Sequence, residues 1–145
     1  MAISLMYNSA LEDEAKGAID FDADTFKVML VNSTYAAIAD ETKKDSHTKR
    51  SDVTANEISG TGYTTGGASA TVTVTKDTAN NRVDISLGSA SWSTATITAY
   101  GAVYYKSRGG ASSADELVAY IDFGGAITST AGTFSLTAST YRKQN

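Results

Sequence analysis

The sequence contains no cysteine and no proline, and only one histidine and one tryptophan. Without cysteine there is no disulfide, no thiolate nucleophile and no sulfur-ligated zinc. Without proline, every turn falls to Gly, Asn, Asp, Ser and Thr. One histidine is too few for a cupin-type metal site. No apolar run approaches the roughly 18 residues that a membrane span needs. Residues 1–10 lack the basic start and apolar middle of a secretion signal. The expectation is a soluble protein made in a cytoplasm, with no membrane partner.

Charge of one sign is also scarce. The net charge of -4 argues against a grip on nucleic acid, which rests on neutralising phosphates. Glu12, Asp13, Glu14, Asp20, Asp22 and Asp24 crowd the start, while Lys43, Lys44, Lys49 and Arg50 share a middle segment and Arg142 and Lys143 lie near the end. Opposite patches on one small body favour assembly with neighbours, although solvated charge explains them more plainly.

The 145 residues fit one domain, 1–145, able to bury roughly 70% of its unfolded surface. The clearest strand signal runs over 91–105. With a period of two, Ile97, Ala99, Gly101, Val103 and Tyr105 share an apolar face, and Thr96, Thr98, Tyr100, Ala102 and Tyr104 share a wetter one. Ser9 and Glu12 have capping-box spacing, which predicts a short helix over 10–16 ended by Gly17. This helix belongs to a docking segment, 1–24. A strand over 25–31 follows. Periodicity then disappears: Tyr35 to Ala39 can form a helical turn, and 40–57 reads as a charged surface loop, the first place to look for binding.

Farther on, Ala70, Val72 and Val74 alternate with threonines, and Val83, Ile85 and Leu87 alternate with polar residues across an Asn-rich connection. Together they predict a hairpin. Leu117, Ala119, Ile121 and Phe123 form another inward face, with Val118, Tyr120 and Asp122 opposite, and Gly124-Gly125 is expected to end that strand. Phe134, Leu136 and Ala138 mark a last strand before a polar tail, 141–145. Six or seven short strands with turn chemistry between them predict an all-β fold: a sandwich, jelly roll or barrel.

The motifs that suggest chemistry are incomplete. Asp20, Asp22 and Asp24 resemble the opening of a calcium loop, but Thr25 and Val31 stand where that loop needs glycine and glutamate. Gly60, Gly62, Gly66 and Gly67 lead into a β-run, not the helix a phosphate loop requires, so they read as bulge and turn glycines. His47 has no nucleophile elbow near it and reads as an exposed loop residue. Trp92 reads as a core plug. Tyr100, Tyr104 and Tyr120 fall opposite the inferred core side and become candidate contact residues, together with Lys43, Lys44, Lys49, Arg50, Arg142 and Lys143. No cofactor or metal is expected.

Four blocks carry a resemblance. They are Ala18-Ile-Asp-Phe-Asp-Ala-Asp-Thr-Phe-Lys-Val-Met-Leu-Val31, Arg50-Ser-Asp-Val-Thr-Ala-Asn-Glu-Ile-Ser-Gly-Thr-Gly-Tyr-Thr-Thr-Gly-Gly67, Trp92-Ser-Thr-Ala-Thr-Ile-Thr-Ala-Tyr-Gly-Ala-Val-Tyr104 and Leu117-Val-Ala-Tyr-Ile-Asp-Phe-Gly-Gly125. In this order they resemble a family of tailed-bacteriophage virion structural proteins, some of them capsid cement, or head decoration, proteins. The resemblance implies a jelly-roll-like β-sandwich with a short N-terminal helix and no enzymatic activity. It implies a homo-oligomer, dimer or trimer, on the capsid exterior, made in the host bacterial cytoplasm and stabilising contacts between subunits of the major capsid protein. The alternative is a tail or fibre component that binds a host-surface glycan or receptor. A third possibility, from the residues alone, is a hydrolase using His47.

Overall fold

The computed structural model describes residues 3–38 and 41–144. Met1 and Ala2 of the docking segment, Ala39 and Asp40 at the start of the expected loop, and Asn145 of the expected tail lie outside the described residues. The chain is mainly β, with two antiparallel sheets. In order, it forms β1 (Leu5–Met6), α1 (Asn8–Ala15), β2 (Phe26–Val31), α2 (Ser33–Ile38), α3 (Glu41–Ser46), two 3-10 turns (Arg50–Asp52 and Thr54–Asn56), β3 (Ala68–Ala70) and β4 (Val72–Asp77). A third 3-10 turn (Thr78–Asn80), β5 (Arg82–Leu87), β6 (Ala90–Lys106), β7 (Leu117–Leu136) and β8 (Ser139–Gln144) complete it.

The large sheet has the order β1-β7-β6-β2-β3 and the small one β4-β5-β8. Each strand of the small sheet continues a strand of the large one. β3 runs into β4 through Thr71, β5 into β6 through Gly88 and Ser89, and β7 into β8 through residues 137 and 138. The corner has no room for a side chain at Gly88, where a Cβ would stand 2.2 Å from the Thr71 carbonyl oxygen. The predicted hairpin forms as β4 and β5, with Val72 opposite Leu87 and Val74 opposite Ile85. Asn81 takes its turn in the left-handed region at φ 52°, a conformation Asn adopts more readily than most residues.

β6 is the central strand, and register explains where its faces go. Val103 pairs with Tyr120, Tyr104 with Ala119 and Ala102 with Ile121. Paired residues share a face, so the apolar set of β6 and the apolar set of β7 lie on opposite faces of one sheet. Both faces are therefore covered, and residues 101–105 and 117–121 are all buried. Tyr35 of α2 meets Tyr120 edge-on on one face. On the other, the Tyr104 hydroxyl donates to the Gly88 carbonyl oxygen at 2.8 Å, at the corner into the small sheet.

Four local expectations are corrected. The helix α1 begins at Asn8, with Tyr7 as N-cap and no side-chain cap bond. Ser9 instead donates to the His47 carbonyl oxygen at 3.4 Å and Glu12 pairs with Lys16, so the capping box does not form, although Gly17 ends the helix at φ 78° as expected. The segment expected as a charged loop over 40–57 carries α3 and the two 3-10 turns. Its turns close over three residues, for instance Asp52 N–H to the Lys49 carbonyl and Val53 N–H to that of Arg50, a spacing too short for strand periodicity to reveal, while Arg50 and Ser51 N–H bond the distant Asp115 and Ser112 carbonyls.

Gly124-Gly125 does not end a strand. β7 continues through it, and pairing slips from Gly101↔Asp122 to Ala99↔Ile127, so the glycines build a bulge. The polar tail is β8, whose residues pair with all of β5 from Arg82↔Gln144 to Leu87↔Ser139. Tyr141 falls opposite Ile85, and Arg142 opposite Asp84.

Candidate functional site

The charged residues singled out from the sequence are largely used inside the molecule. Asp115 and Glu116 are buried, at 1% and 3% exposure, and buried carboxylates need partners. The Arg50 Nε lies 2.8 Å from Asp115 Oδ2, and the Arg108 amide donates to Asp115 Oδ1 at 2.8 Å. The Arg108 guanidinium grips both Glu116 oxygens at 2.6–3.0 Å, with Lys49 Nζ 3.3 Å from the same carboxylate. Burial alone would raise the Glu116 carboxyl, but Arg108 and Lys49 outweigh it and hold it below the usual range. The Arg50 guanidinium also sits over the Tyr105 ring at 5.0 Å, a cation-π contact. Lys49 and Arg50 thus tie residues 48–50 to residues 106–117 instead of facing outward.

Arg142 is exposed and lies 3.2 Å from Asp84. Lys143 reaches Glu14 of α1 at 2.8 Å. Lys43 and Lys44 are half-buried on α3. Among the tyrosines, Tyr104 and Tyr120 are fully buried, which removes both from any outer contact surface. The reason for Tyr120 is Gly101: a Cβ there would stand 2.6 Å from the Tyr120 ring, so the bare backbone makes its room. Tyr100 alone of the three is partly exposed.

A second cluster surrounds the histidine. The Tyr7 and Tyr35 hydroxyls are 2.6 Å apart, and Tyr35 Oη lies 3.1 Å from His47 Nδ1. His47 is half-buried against the Tyr35 ring, not an exposed loop residue. Burial, with help from Lys43, lowers its pKa, and Asp52 opposes this. Burial also pushes the Tyr35 phenol up to about 12. Tyr120 Oη, buried beside them, has no hydrogen-bond partner among the described residues. Hydroxyl and imidazole here join α1, α2 and the stretch after α3. Sequence reasoning missed this cluster, because Tyr7, Tyr35 and His47 share no periodic pattern.

Glu57 and Tyr63 fasten the glycine-rich stretch. The Tyr63 hydroxyl donates to Glu57 Oε1 at 2.7 Å, Gly66 N–H donates to the same oxygen at 2.6 Å, and the Tyr105 hydroxyl donates to the Gly66 carbonyl at 2.6 Å. Trp92 is buried between Tyr63 and Phe134, as a core plug should be. Asp20 turns its carboxylate back on the amides of Asp22 and Ala23, and Asp24 binds Lys106 at 2.7 Å. Among the described residues, no group of three or more His, Asp or Glu side chains could hold a metal ion. No helix among them is long and apolar enough to cross a membrane.

One exposed stretch is the far part of the β6–β7 ribbon. From 124 to 131 the β7 residues are exposed at every position except the half-buried Ser129, so neither side-chain face of the strand is covered. Thr96 and Thr98 add their hydroxyls from β6, and Thr98 and Thr128 touch Oγ1 to Oγ1 at 2.9 Å. No charged residue occurs in 90–105 or in 123–141. Such a surface offers hydroxyls, backbone and small apolar groups.

The fold and these surfaces define a mainly β protein of two antiparallel sheets, braced by buried ion pairs and presenting an uncharged ribbon. Comparisons with protein-family models, with curated proteins and with solved structures find no match to this chain.

Proposed function

We propose that this chain is a phage capsid decoration, or cement, protein: a jelly-roll-like β-sandwich that binds the outer surface of the assembled head and bridges subunits of the major capsid protein, without catalytic activity. The observation that carries the reading is the uncharged ribbon formed by residues 124–131 of β7 and the threonines of β6, projecting from a body whose buried carboxylates are already paired. The four resembling blocks support it, since they supply β2, the pinned stretch 50–67, β6 and the first part of β7. A surface of this kind makes many shallow contacts, and repetition by capsid symmetry turns weak contacts into firm attachment. The braces at Asp115 and Glu116 hold the connections around β6 and β7 rigid, which lowers the ordering cost of binding.

Cryo-electron microscopy and mass spectrometry of the virion that contains this chain test the reading. The expected result is density of this shape at fixed stoichiometry across the head. Confinement to the tail overturns it and selects the glycan- or receptor-binding alternative. For that alternative Trp92 offers no stacking platform, because it is buried.

A further inference from the structure

We propose that the free edge of β4 takes up an extended segment of another protein, one that runs antiparallel to Val72–Lys76 and carries an acidic residue followed, two positions on, by an apolar one. β4 pairs with β5 alone, and its other side meets no strand among the described residues. The backbone bonds made outside the strands include none from 72–77, so this edge offers its outward donors and acceptors to an added strand. Val74 says what one side chain of that strand must be. It pairs with Ile85, and both line an open groove of about 520 Å³ together with Ile19, Phe21 and Val83. Ile19, Phe21 and Ile85 are buried, whereas Val74, at the sheet's edge, is 40% exposed. A strand laid along β4 sets a side chain beside Val74, about 5 Å away, and an apolar one there closes the groove's open flank.

Charge fixes the second position. Side chains repeat every two residues along a strand, so Lys76 stands on the same face as Val74, one step nearer the hairpin tip. Its row across the sheet runs from Lys76 to Val83 to Lys143, and β4 and β8, which carry the two lysines, lie about 10 Å apart. Lys143 has Glu14 at 2.8 Å. Lys76 is exposed and makes no ion pair among the described residues. The residue that an added strand sets opposite it is acidic by complementarity. Lysine on an edge usually turns strands away; beside the uncovered Val74 it discriminates among them. A second copy of β4 fits poorly, because with Val74 opposite Val74 each Lys76 meets Val72 and gains no anion. In chain order the occupant therefore reads acid, any, apolar, any, apolar, opposite Lys76, Thr75, Val74, Thr73 and Val72. This edge is separate from the β6–β7 ribbon, and the inference stands without the capsid reading.

The probe is the peptide acetyl-Ser-Glu-Thr-Val-Thr-Val-Ser-amide, titrated to millimolar concentration into the isotope-labelled full chain and followed by NMR. Expected are saturable shifts at the amides of 72–77 and 17–22, with new exchange protection in β4. Replacing the peptide's Glu by Lys weakens binding about fivefold. In the variant Lys76→Glu the preference inverts and the Lys peptide binds more tightly, an exchange that loss of folding cannot produce. Val74→Ser weakens binding of both peptides, and Thr128→Lys on the ribbon alters neither. Four results overturn the proposal: no saturable shifts at millimolar peptide, shifts that avoid β4, equal binding of the two peptides, or β4 shifts that follow protein concentration with no peptide present, the mark of a second copy on this edge. All are read on the purified chain, so they are separable from the capsid reading, which virion composition decides.

Discussion

The hydroxyl of Tyr35 lies 3.1 Å from Nδ1 of His47, and through it the imidazole is joined to Tyr7 at the head of α1. The contact crosses from α2 to the residue that follows α3, and it holds the N-terminal helix against the large sheet.

The folded protein lowers the His47 pKa, first through burial and then through Lys43. The unfolded chain therefore binds a proton on this residue more readily than the folded one, and stability falls as pH drops below about 6.5. The loss is complete below the folded value. Urea unfolding at neutral pH and at pH near 5 checks this: His47→Gln is expected to flatten the dependence in that window, and an unchanged slope would contradict the assignment.

At the alkaline end the sign reverses in origin but not in effect. Burial pushes Tyr35, Tyr104 and Tyr105 up to about 12, so their stabilising contribution is full below about 10 and is lost as pH rises toward 12. Ultraviolet titration of phenolate absorbance should show these tyrosines ionising together with unfolding, detected by circular dichroism, and not before it.

Asp115 accepts from both Arg50 and the Arg108 amide while almost wholly buried. Asp115→Ala leaves the Arg50 guanidinium without its anion in a dry setting and is expected to cost about 3–5 kcal/mol in urea denaturation. The double change Arg50→Met with Asp115→Leu should recover much of that loss, because no unpaired charge remains.

Two glycines with similar backbones should respond very differently to alanine. Gly17, at φ 78°, has open space around it, and Gly17→Ala should cost about 1 kcal/mol from conformational strain alone. Gly67, at φ 76°, would place a Cβ 1.9 Å from the Val28 carbonyl oxygen. Gly67→Ala must displace β3 from β2, and should lower the thermal midpoint several-fold more than Gly17→Ala.

Strands that alternate were legible in the sequence. The pattern at Phe26, Val28 and Leu30, the hairpin of β4 and β5, and the long run of β6 all follow from period two and turn residues. Tyr104 and Tyr120 were misassigned because alternation tells which residues share a face, not whether that face is covered; only the pairing of Val103 with Tyr120 reveals two buried faces. The short helices over 33–38 and 41–46 and the bonds of Lys49, Arg50, Asp115 and Glu116 depend on partners as far apart in sequence as Lys49 and Glu116, which no local window contains. β8 was hidden by its polarity: Arg142 and Lys143 occupy an outer strand whose charges meet Asp84 and Glu14.

The continuity of three strands from one sheet into the other bears on how the chain matures. β5 needs β8 along its whole length, so Ile85 and Leu87 keep one backbone flank open until residues 139–144 are in place. A polypeptide emerging in order completes the small sheet only with its last strand. Because β8 is the direct extension of β7, zipping β7 along β6 delivers that closing piece to its slot without a separate search.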